Sequence, residues 1–168
     1  PQVMGILNVT PDSFYSGSRM QTEEDIAARA RQILDEGASI IDVGGYSSRP
    51  DAAEVSETEE MQRLEMALQP LLQHYPDVVV SVDTFRSSVA RQCVEKYGVS
   101  MINDISGGEL DERMFDTVAQ LRVPYIMMHM RGTPQTMQQQ TDYEDVTADL
   151  LKYFSQKLER LFRLGVND

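Results

Sequence analysis

Five apolar segments, each ending in a polar side chain, constrain the fold of this chain more than any other feature of its sequence. They are VMGILN ending at Asn8, SIID at Asp42, VVVSVD at Asp83, MIND at Asn103 and Asp104, and YIMMH at His129. Continuous apolar runs of this length are typical of strands covered on both faces, as in parallel sheets. An unpaired polar group in such a run costs roughly 2–7 kcal/mol. Five of them at the same end therefore predict a polar site at the carboxyl-terminal rim of a parallel barrel.

Helical patterns separate the five runs. The spacing of apolar residues predicts helices over 23–36, 57–74, 86–97, 111–121 and 143–164. Two of them have a capping residue followed three positions later by an acid, at Thr22 and at Ser56. Strict alternation of strands and helices predicts an α/β fold with a parallel sheet.

The repeat length indicates how much of a barrel is present. The runs recur roughly every 30 residues, and a complete (β/α)8 barrel of eight such units has about 250 residues. The chain has 168 residues. We therefore expect residues 1–168 to form a single domain, an incomplete (β/α)8 TIM barrel with about five β/α units, whose C-terminal three units are missing. Such a chain is expected to be catalytically incompetent as it stands.

Composition excludes several classes of function. The formal net charge of −12 argues against a nucleic-acid partner, and an anionic substrate would need a metal or a local cation. No apolar stretch approaches the 18 or so residues of a membrane span, so no membrane association is expected. The single cysteine, Cys93, falls in a helical pattern and is expected to pack in the core or to be exposed without a role, and not to be catalytic. One cysteine excludes an internal disulfide and fits a cytoplasmic location.

The first two strand-to-helix loops carry residues suited to binding a metal and phosphate. Asn8 ends the first run, where its side-chain oxygen can ligate a hard cation, and Asp12 follows on a long loop. The alternative is a simple turn, which Pro-Asp-Ser sequences often form. The second loop combines two glycines, two hydroxyls and Arg49, a combination that suits an oxyanion or phosphate cradle. A flexible surface loop is the alternative there.

Polar residues at the later strand ends also have two interpretations. Asp83 immediately precedes a helix and either caps it or leaves the cap to Thr84. Asn103 and Asp104 must point to opposite faces of a strand, so one faces the barrel interior and the other a helix. His129 is more simply a structural histidine than a catalytic one.

Taken together, these segments resemble those of dihydropteroate synthase, the family that condenses a pterin with p-aminobenzoate in folate synthesis. Residues 4–14 and 42–50 resemble the family's first and second signatures. Residues 81–84, 103–106 and 128–138 follow in the family's order and spacing. The resemblance implies a homodimer whose small-molecule partners are dihydropterin pyrophosphate, p-aminobenzoate and sulfonamide inhibitors.

The resemblance also implies roles for individual residues. Asn8 would ligate Mg²⁺, the one expected cofactor, and Ser48 would bind the β-phosphate of the substrate pyrophosphate. Phe14 and Pro50 would line the p-aminobenzoate pocket, together with Arg49.

Four residues are expected to bind the pterin itself. Asp83 and Asn103 would bind its hydrogen-bonding edge, and Ile105 and Met128 would pack against its ring.

The implied reaction joins 6-hydroxymethyl-7,8-dihydropterin pyrophosphate to p-aminobenzoate and releases pyrophosphate. The pterin can stabilise positive charge on its exocyclic methylene, so the protein mainly positions the substrates and stabilises the leaving group. Catalytic residues are expected to be Asp12, Asp42 and Arg49, with Asp42 ordering the second loop.

The chain departs from the family pattern in its loops. Tyr46 replaces a glutamate, Asp51 replaces a glycine, and no acid lies near Ser16. The family's later Asp-Pro-Gly strand, pterin-contacting lysine and phosphate-binding arginine and histidine do not occur in this chain. Two rival functions remain: a pterin-binding methyltransferase that uses a corrinoid, and a non-catalytic pterin-binding paralogue. Pyrophosphate release that depends on p-aminobenzoate separates the synthase from both.

Overall fold

A computed structural model describes residues 1–9, 23–47 and 54–167. These residues form a five-stranded parallel sheet whose strands are hydrogen-bonded in chain order. The strands are β1 (Met4–Asn8), β2 (Ile40–Gly44), β3 (Val79–Asp83), β4 (Met101–Asp104) and β5 (Tyr125–Met127). This is the order of five successive units in the wall of a (β/α)8 barrel, as the alternation of runs and helices predicts.

One helix follows each strand. The helices are α1 (Glu23–Asp35), α2 (Glu57–His74), α3 (Ser87–Tyr97), α4 (Met114–Leu121) and α5 (Val146–Arg163), and a 3₁₀ turn covers Met137–Gln139. Ser56 caps α2 as predicted, since its hydroxyl accepts a hydrogen bond from the backbone N–H of Glu59 at 3.2 Å.

Three helices begin later than the sequence predicts. The most informative case is α4, which begins at Met114 because Asp111 is used elsewhere. The Asp111 carboxylate accepts hydrogen bonds from the backbone N–H groups of Ser87 at 2.9 Å and Arg113 at 3.0 Å. Asp111 therefore stabilises the start of α3 from outside that helix. Likewise, α5 begins at Val146 because the Asp145 carboxylate caps it.

The core lies between the sheet and the helices. Outward-pointing strand side chains pack against the apolar faces of α2 and α3, and the most deeply buried members are Ile41, Val43, Val82, Ile102, Leu64, Leu68, Leu71, Val89 and Ala90. Cys93 is fully buried in this core, the first of the two positions that the sequence allowed. Burial raises the pKa of its thiol to about 12, so the sulfur is a packing group and not a nucleophile.

Across residues 1–9, 23–47 and 54–167, no helix is both long enough and apolar enough to cross a bilayer.

Candidate active site at the carboxyl-terminal rim

Strand register brings three predicted site residues into one row. Asn8 pairs with Gly44, Gly44 with Asp83, and Asp83 with Asn103. Residues paired in this way in a parallel sheet point to the same face. Asn8, Asp83 and Asn103 thus share the face opposite the helices, at the carboxyl-terminal end of the sheet. This row contains three of the polar residues that close the apolar runs of the sequence.

Gly44 keeps the row open between Asn8 and Asp83. A Cβ atom at Gly44 would lie 2.9 Å from the Asn8 Oδ1 atom and 3.6 Å from the Asp83 Oδ2 atom. The first distance is shorter than real Cβ contacts, so a larger residue would displace the asparagine side chain. The glycine therefore leaves an amide oxygen and a carboxylate oxygen facing one gap.

The prediction that the second strand ends at Asp42 is wrong. β2 continues through Val43 to Gly44, which places Asp42 in the middle of the strand and one row below Asp83. The sequence pattern failed here because Gly44 and Gly45 are typical of a loop, yet Gly44 is the last paired residue of the strand. Asp42 is therefore a buried strand residue, 4% exposed, and not a residue of the following loop.

Asp42 makes a direct hydrogen bond to Asn103. The Asn103 Nδ2 group donates to Asp42 Oδ2 at 2.9 Å. Because a carboxylate only accepts, this contact fixes the orientation of the amide and directs Asn103 Oδ1 away from Asp42. Asp42 Oδ1 and the Ser81 hydroxyl, which lie in the same lower row, are buried without a hydrogen-bond partner among the described residues.

Asp83 lies among negative charges. Burial, followed by the charges of Asp42, Asp104 and Glu60, raises the pKa of Asp83 to about 7. Its carboxylate is thus in a position to titrate near neutrality, and a ligand that presents N–H groups would stabilise the charged form.

Asp83 does not cap the helix that follows. α3 begins at Ser87, whose N–H is bonded to Asp111, and the Thr84 Oγ1 atom accepts from the backbone N–H of Arg86 at 3.2 Å. Neither Asp83 nor Thr84 therefore caps α3, and the first N–H of the helix is bonded to Asp111 instead.

Asn103 and Asp104 face opposite sides of β4, as predicted. Asp104 is fully buried on the helix side. Its carboxylate accepts from the N–H and hydroxyl of Ser106 at 2.7 and 2.8 Å, from the Gly108 N–H at 2.9 Å and from the Tyr125 hydroxyl at 2.6 Å. Asp104 is therefore structural, and it orders the turn that follows β4.

The two apolar pterin candidates lie just beyond the strand ends. Ile105 follows β4 and is half-buried, whereas Met128 follows β5 and is 38% exposed. The Met128 N–H donates to the Asp104 carbonyl at 3.1 Å, which keeps the two strand ends together. Both residues thus lie directly beyond the ends of neighbouring strands, on the same rim as Asn103.

His129 packs in an aromatic group and lies outside β5, which ends at Met127. Its ring centroid is 4.6 Å from that of Tyr153 and 6.1 Å from that of Tyr143. The packing is edge to face against Tyr153 and tilted against Tyr143, and it supports the structural interpretation of the histidine.

Five predicted site residues lie outside the described residues. They are Asp12, Phe14, Ser48, Arg49 and Pro50. Their roles stay predictions.

The sequence analysis missed one buried charged cluster. Glu60 of α2, to which the sequence analysis assigns no role, is fully buried. Its carboxylate accepts from the Thr84 hydroxyl at 2.6 Å and forms an ion pair with Arg86. Burial raises the pKa of Glu60, while the bonds from Thr84 and Arg86 oppose that change. Helical periodicity could have predicted the burial of Glu60, because this residue shares a helical face with Leu64, Ala67 and Leu71.

Known proteins share this arrangement of strands and helices. The chain is 42% identical over 164 residues to the dihydropteroate synthase of Synechocystis, covering 98% of this chain and 56% of that protein. The solved structure of Yersinia pestis dihydropteroate synthase in complex with a sulfonamide drug superposes with a TM-score of 0.88 at 39% identity, covering 99% and 60% of the two chains. The Xanthomonas albilineans enzyme with 4-aminobenzoic acid superposes with a TM-score of 0.86 at 36% identity, covering 99% and 58%.

The chain therefore spans three fifths or less of the length of these relatives. A family described as "pterin binding enzyme" matches residues 4–168, which include all five strands and the row formed by Asn8, Asp83 and Asn103. By this match over nearly its whole length, the chain belongs to the pterin binding enzyme family.

Proposed function

We propose that the protein containing this chain is a dihydropteroate synthase, a transferase of folate biosynthesis. In the reaction, the C–O bond between the pterin's exocyclic methylene and pyrophosphate breaks. A C–N bond to the amine of p-aminobenzoate forms, and the amine loses one proton to solvent. The observation that carries the proposal is the row of Asn8, Asp83 and Asn103 at the rim, with Gly44 keeping it open.

The polar atoms in this row complement the pyrimidine edge of a pterin. That edge presents a ring N–H and an amino group beside acceptor atoms. The Asp83 carboxylate accepts hydrogen bonds from N–H groups, and Asn103 offers its Oδ1 acceptor because its Nδ2 is directed to Asp42. Ile105 and Met128, next to Asn103, would cover the face of the ring.

Asn8 is the residue that would hold Mg²⁺. Its Oδ1 atom faces the gap at Gly44 that the Asp83 carboxylate also faces, and oxygen is the ligand type that Mg²⁺ prefers. No group of three or more His, Cys, Asp or Glu suited to a metal occurs in the described part of the chain. An ion there would therefore depend on Asn8, water and the substrate's own phosphates, a common arrangement for Mg²⁺. When bound, the ion would neutralise charge on the leaving pyrophosphate.

The two long loops, together with Asp42 of β2, would complete the site. We propose that Ser48 binds the β-phosphate, that Phe14 and Pro50 line the p-aminobenzoate pocket with Arg49, and that Asp12, Asp42 and Arg49 take part in catalysis. The 4-aminobenzoic acid and the sulfonamide bound to the solved relatives support these substrate and inhibitor classes.

The first experiment measures pyrophosphate release by the complete gene product that contains this chain. The reaction contains Mg²⁺ and dihydropterin pyrophosphate, with and without p-aminobenzoate. Release that requires p-aminobenzoate is the expected result, and Asn8→Ala and Asp83→Ala are expected to lower it by at least about 100-fold.

Retained pterin binding without pyrophosphate release would contradict the proposal. It would favour a pterin-binding methyltransferase or a non-catalytic paralogue. We further propose a cytoplasmic homodimer, which light scattering of the same gene product and fractionation of its host cells would test.

A further inference from the structure

A buried ion pair lies directly behind the row of polar residues. Glu60, in the first turn of α2, is fully buried and pairs with the Arg86 guanidinium in the loop after β3. Glu60 Oε1 also accepts from the Thr84 hydroxyl at 2.6 Å. Neither member of this pair belongs to the residues that face the proposed ligands.

Arg86 contacts three separate segments of the chain. Its Nη2 group donates to the Val55 carbonyl at 2.7 Å, just before α2. Its guanidinium carbon lies 4.9 Å from the ring centroid of Phe85 and 5.4 Å from that of Tyr46, which follows β2. The two rings are themselves packed edge to face at 5.0 Å. Arg86 therefore joins the ends of β2 and β3 to the start of α2.

Thr84 connects this pair to the site. It follows Asp83 in the chain, and its backbone N–H donates to the Asn103 carbonyl at 3.0 Å. Glu60 thus reaches both Asp83 and Asn103 through one residue. α2 also holds the end of β2, because Arg63 donates to the Gly45 carbonyl at 3.1 Å.

Stability alone does not account for a charged pair in this position. Removing two ions from water is costly, and apolar residues of similar volume often give equal or greater stability. An ion pair adds a defined geometry. The planar guanidinium of Arg86 fixes the orientation of the carboxylate and of the carbonyl that it contacts. The contacts of Glu60 and Arg86 connect the start of α2 to the ends of β2 and β3 that carry the site.

We propose that Glu60 and Arg86 are positioning residues, which hold the ends of β2 and β3 so that Asp83 and Asn103 meet the pterin in the correct geometry. This inference rests on the proposed function. Glu60 acts on Asp83 and Asn103 through Thr84, and Arg86 acts through Val55 and the ring of Tyr46.

The test compares Glu60→Gln with Glu65→Gln in the complete gene product. Glu65 lies on the same helix and pairs with Lys96 of α3 at 2.7 Å, but on the partly exposed side. The glutamine at position 60 retains an acceptor for Thr84 and loses the charge that faces Arg86. Measurements are the KM and kcat for dihydropterin pyrophosphate, the melting temperature, and the Kd for 6-hydroxymethylpterin from its fluorescence.

We expect Glu60→Gln to raise the pterin KM and Kd by about tenfold, a change that typifies loss of one good hydrogen-bond geometry. kcat should change less than KM, and Glu65→Gln should stay within about twofold of the wild type. Arg86→Lys keeps the positive charge but loses the planar set of N–H donors of the guanidinium, and it should give an intermediate KM. Adding Arg86→Met to Glu60→Gln should cause little further loss if the two side chains act as a unit.

The inference is overturned if Glu60→Gln lowers the melting temperature yet leaves KM and Kd like those of Glu65→Gln, because the pair then only supports the fold. Should Glu60→Gln fail to fold, Arg86→Lys decides the question by the same measurements. Failure of the proposed function has a different signature, namely a wild type that binds the pterin without p-aminobenzoate-dependent release of pyrophosphate. In that case the Kd values still test the positioning role. A wild type that binds no pterin overturns both.

Discussion

Asp83 is a carboxylate surrounded by other acidic residues, so its protonation state depends on pH near neutrality. Its pKa of about 7 results first from burial and then from Asp42, Asp104 and Glu60. A native-state pKa above the unfolded value of about 3.9 means that the native state binds more protons between those values. As pH rises from about 4 to about 7, Asp83 ionises in the unfolded state before it ionises in the native state, so the free energy of unfolding falls. A bound ligand with N–H donors would offset that loss of stability by stabilising the native carboxylate.

The first prediction concerns this titration. Pterin binding to the complete gene product should strengthen as pH rises from 6 to 8, because the carboxylate is the form that accepts N–H donors. Asp83→Asn should bind about tenfold more weakly at pH 8 and lose most of the pH dependence. Fluorescence titrations with 6-hydroxymethylpterin at several pH values measure both effects. A variant whose affinity keeps the wild-type pH profile would assign the titration to another group.

The second prediction concerns the orientation of an amide. Asp42→Asn lets the side chain at 42 donate as well as accept, so Asn103 is no longer held with Oδ1 directed away. We expect the Kd for the pterin to rise about tenfold, roughly 1.4 kcal/mol. The Asp83 pKa should also fall, because one of the charges that raise it is removed.

Ser81→Ala is the matched control for this change. Ser81 lies beside Asp42 in the same buried row, and its hydroxyl has no hydrogen-bond partner among the described residues. Its loss should alter the Kd less than about twofold. Equal effects of the two substitutions would mean that general disturbance of the lower row, and not orientation of Asn103, changes the affinity.

At the scale of whole elements, α2 contributes to both the core and the site. Leu64, Ala67, Leu68 and Leu71 are fully buried against the sheet, and Glu60 lies on the same side of the helix. Packing of the apolar residues determines where the helix lies, and that placement determines where Glu60 meets Arg86. A change in the core of α2 should therefore act on stability first.

The third prediction separates these two contributions. Leu68→Ala should lower the free energy of unfolding by about 2–5 kcal/mol, because it leaves a cavity in a fully packed region. Met66→Ala on the same helix, where the side chain is half-exposed, should cost less than about 1 kcal/mol. Urea denaturation of the complete gene product measures both. Similar costs for the two variants would contradict the placement of α2.

The position of a residue at the rim could be predicted where the sequence of a single strand was sufficient to indicate it. Asn8, Asp83 and Asn103 each close an apolar run, so the run itself indicates the rim position. Prediction failed where the deciding contact joins distant segments. Asp42 was misplaced because the paired position of Gly44 depends on Asn8 and Asp83 in neighbouring strands. Glu60 was missed because its partners Thr84 and Arg86 lie about 25 residues further along the chain.

At the scale of the whole molecule, the described residues contain no group of three or more His, Cys, Asp or Glu placed to hold a metal. Asn8, the residue proposed to hold Mg²⁺ through its amide oxygen, lies within the residues that the family match covers. The formal net charge of the chain is −12, which disfavours the approach of a pyrophosphate that carries no counterion.

The fourth prediction follows from that charge. Removing Mg²⁺ with EDTA should abolish pyrophosphate release and weaken dihydropterin pyrophosphate binding by at least about tenfold. Binding of 6-hydroxymethylpterin, which has no phosphate, should change less than about twofold. Asn8→Ala should reproduce the effect of EDTA on the first ligand and spare the second. Loss of binding for both ligands would mean that the ion supports the pterin pocket itself.

The alternation of faces along β2 determines which genetic changes this site can survive. Ile41 and Val43 fill the core while Asp42 and Gly44 face the opposite side, so inserting or deleting a single residue within the strand would exchange the two sets. A valine would then stand beside Asn8, and a carboxylate would enter the apolar layer beneath the helices. Substitutions at the rim can alter affinity by degrees, whereas a one-residue shift would remove the binding surface and the core together.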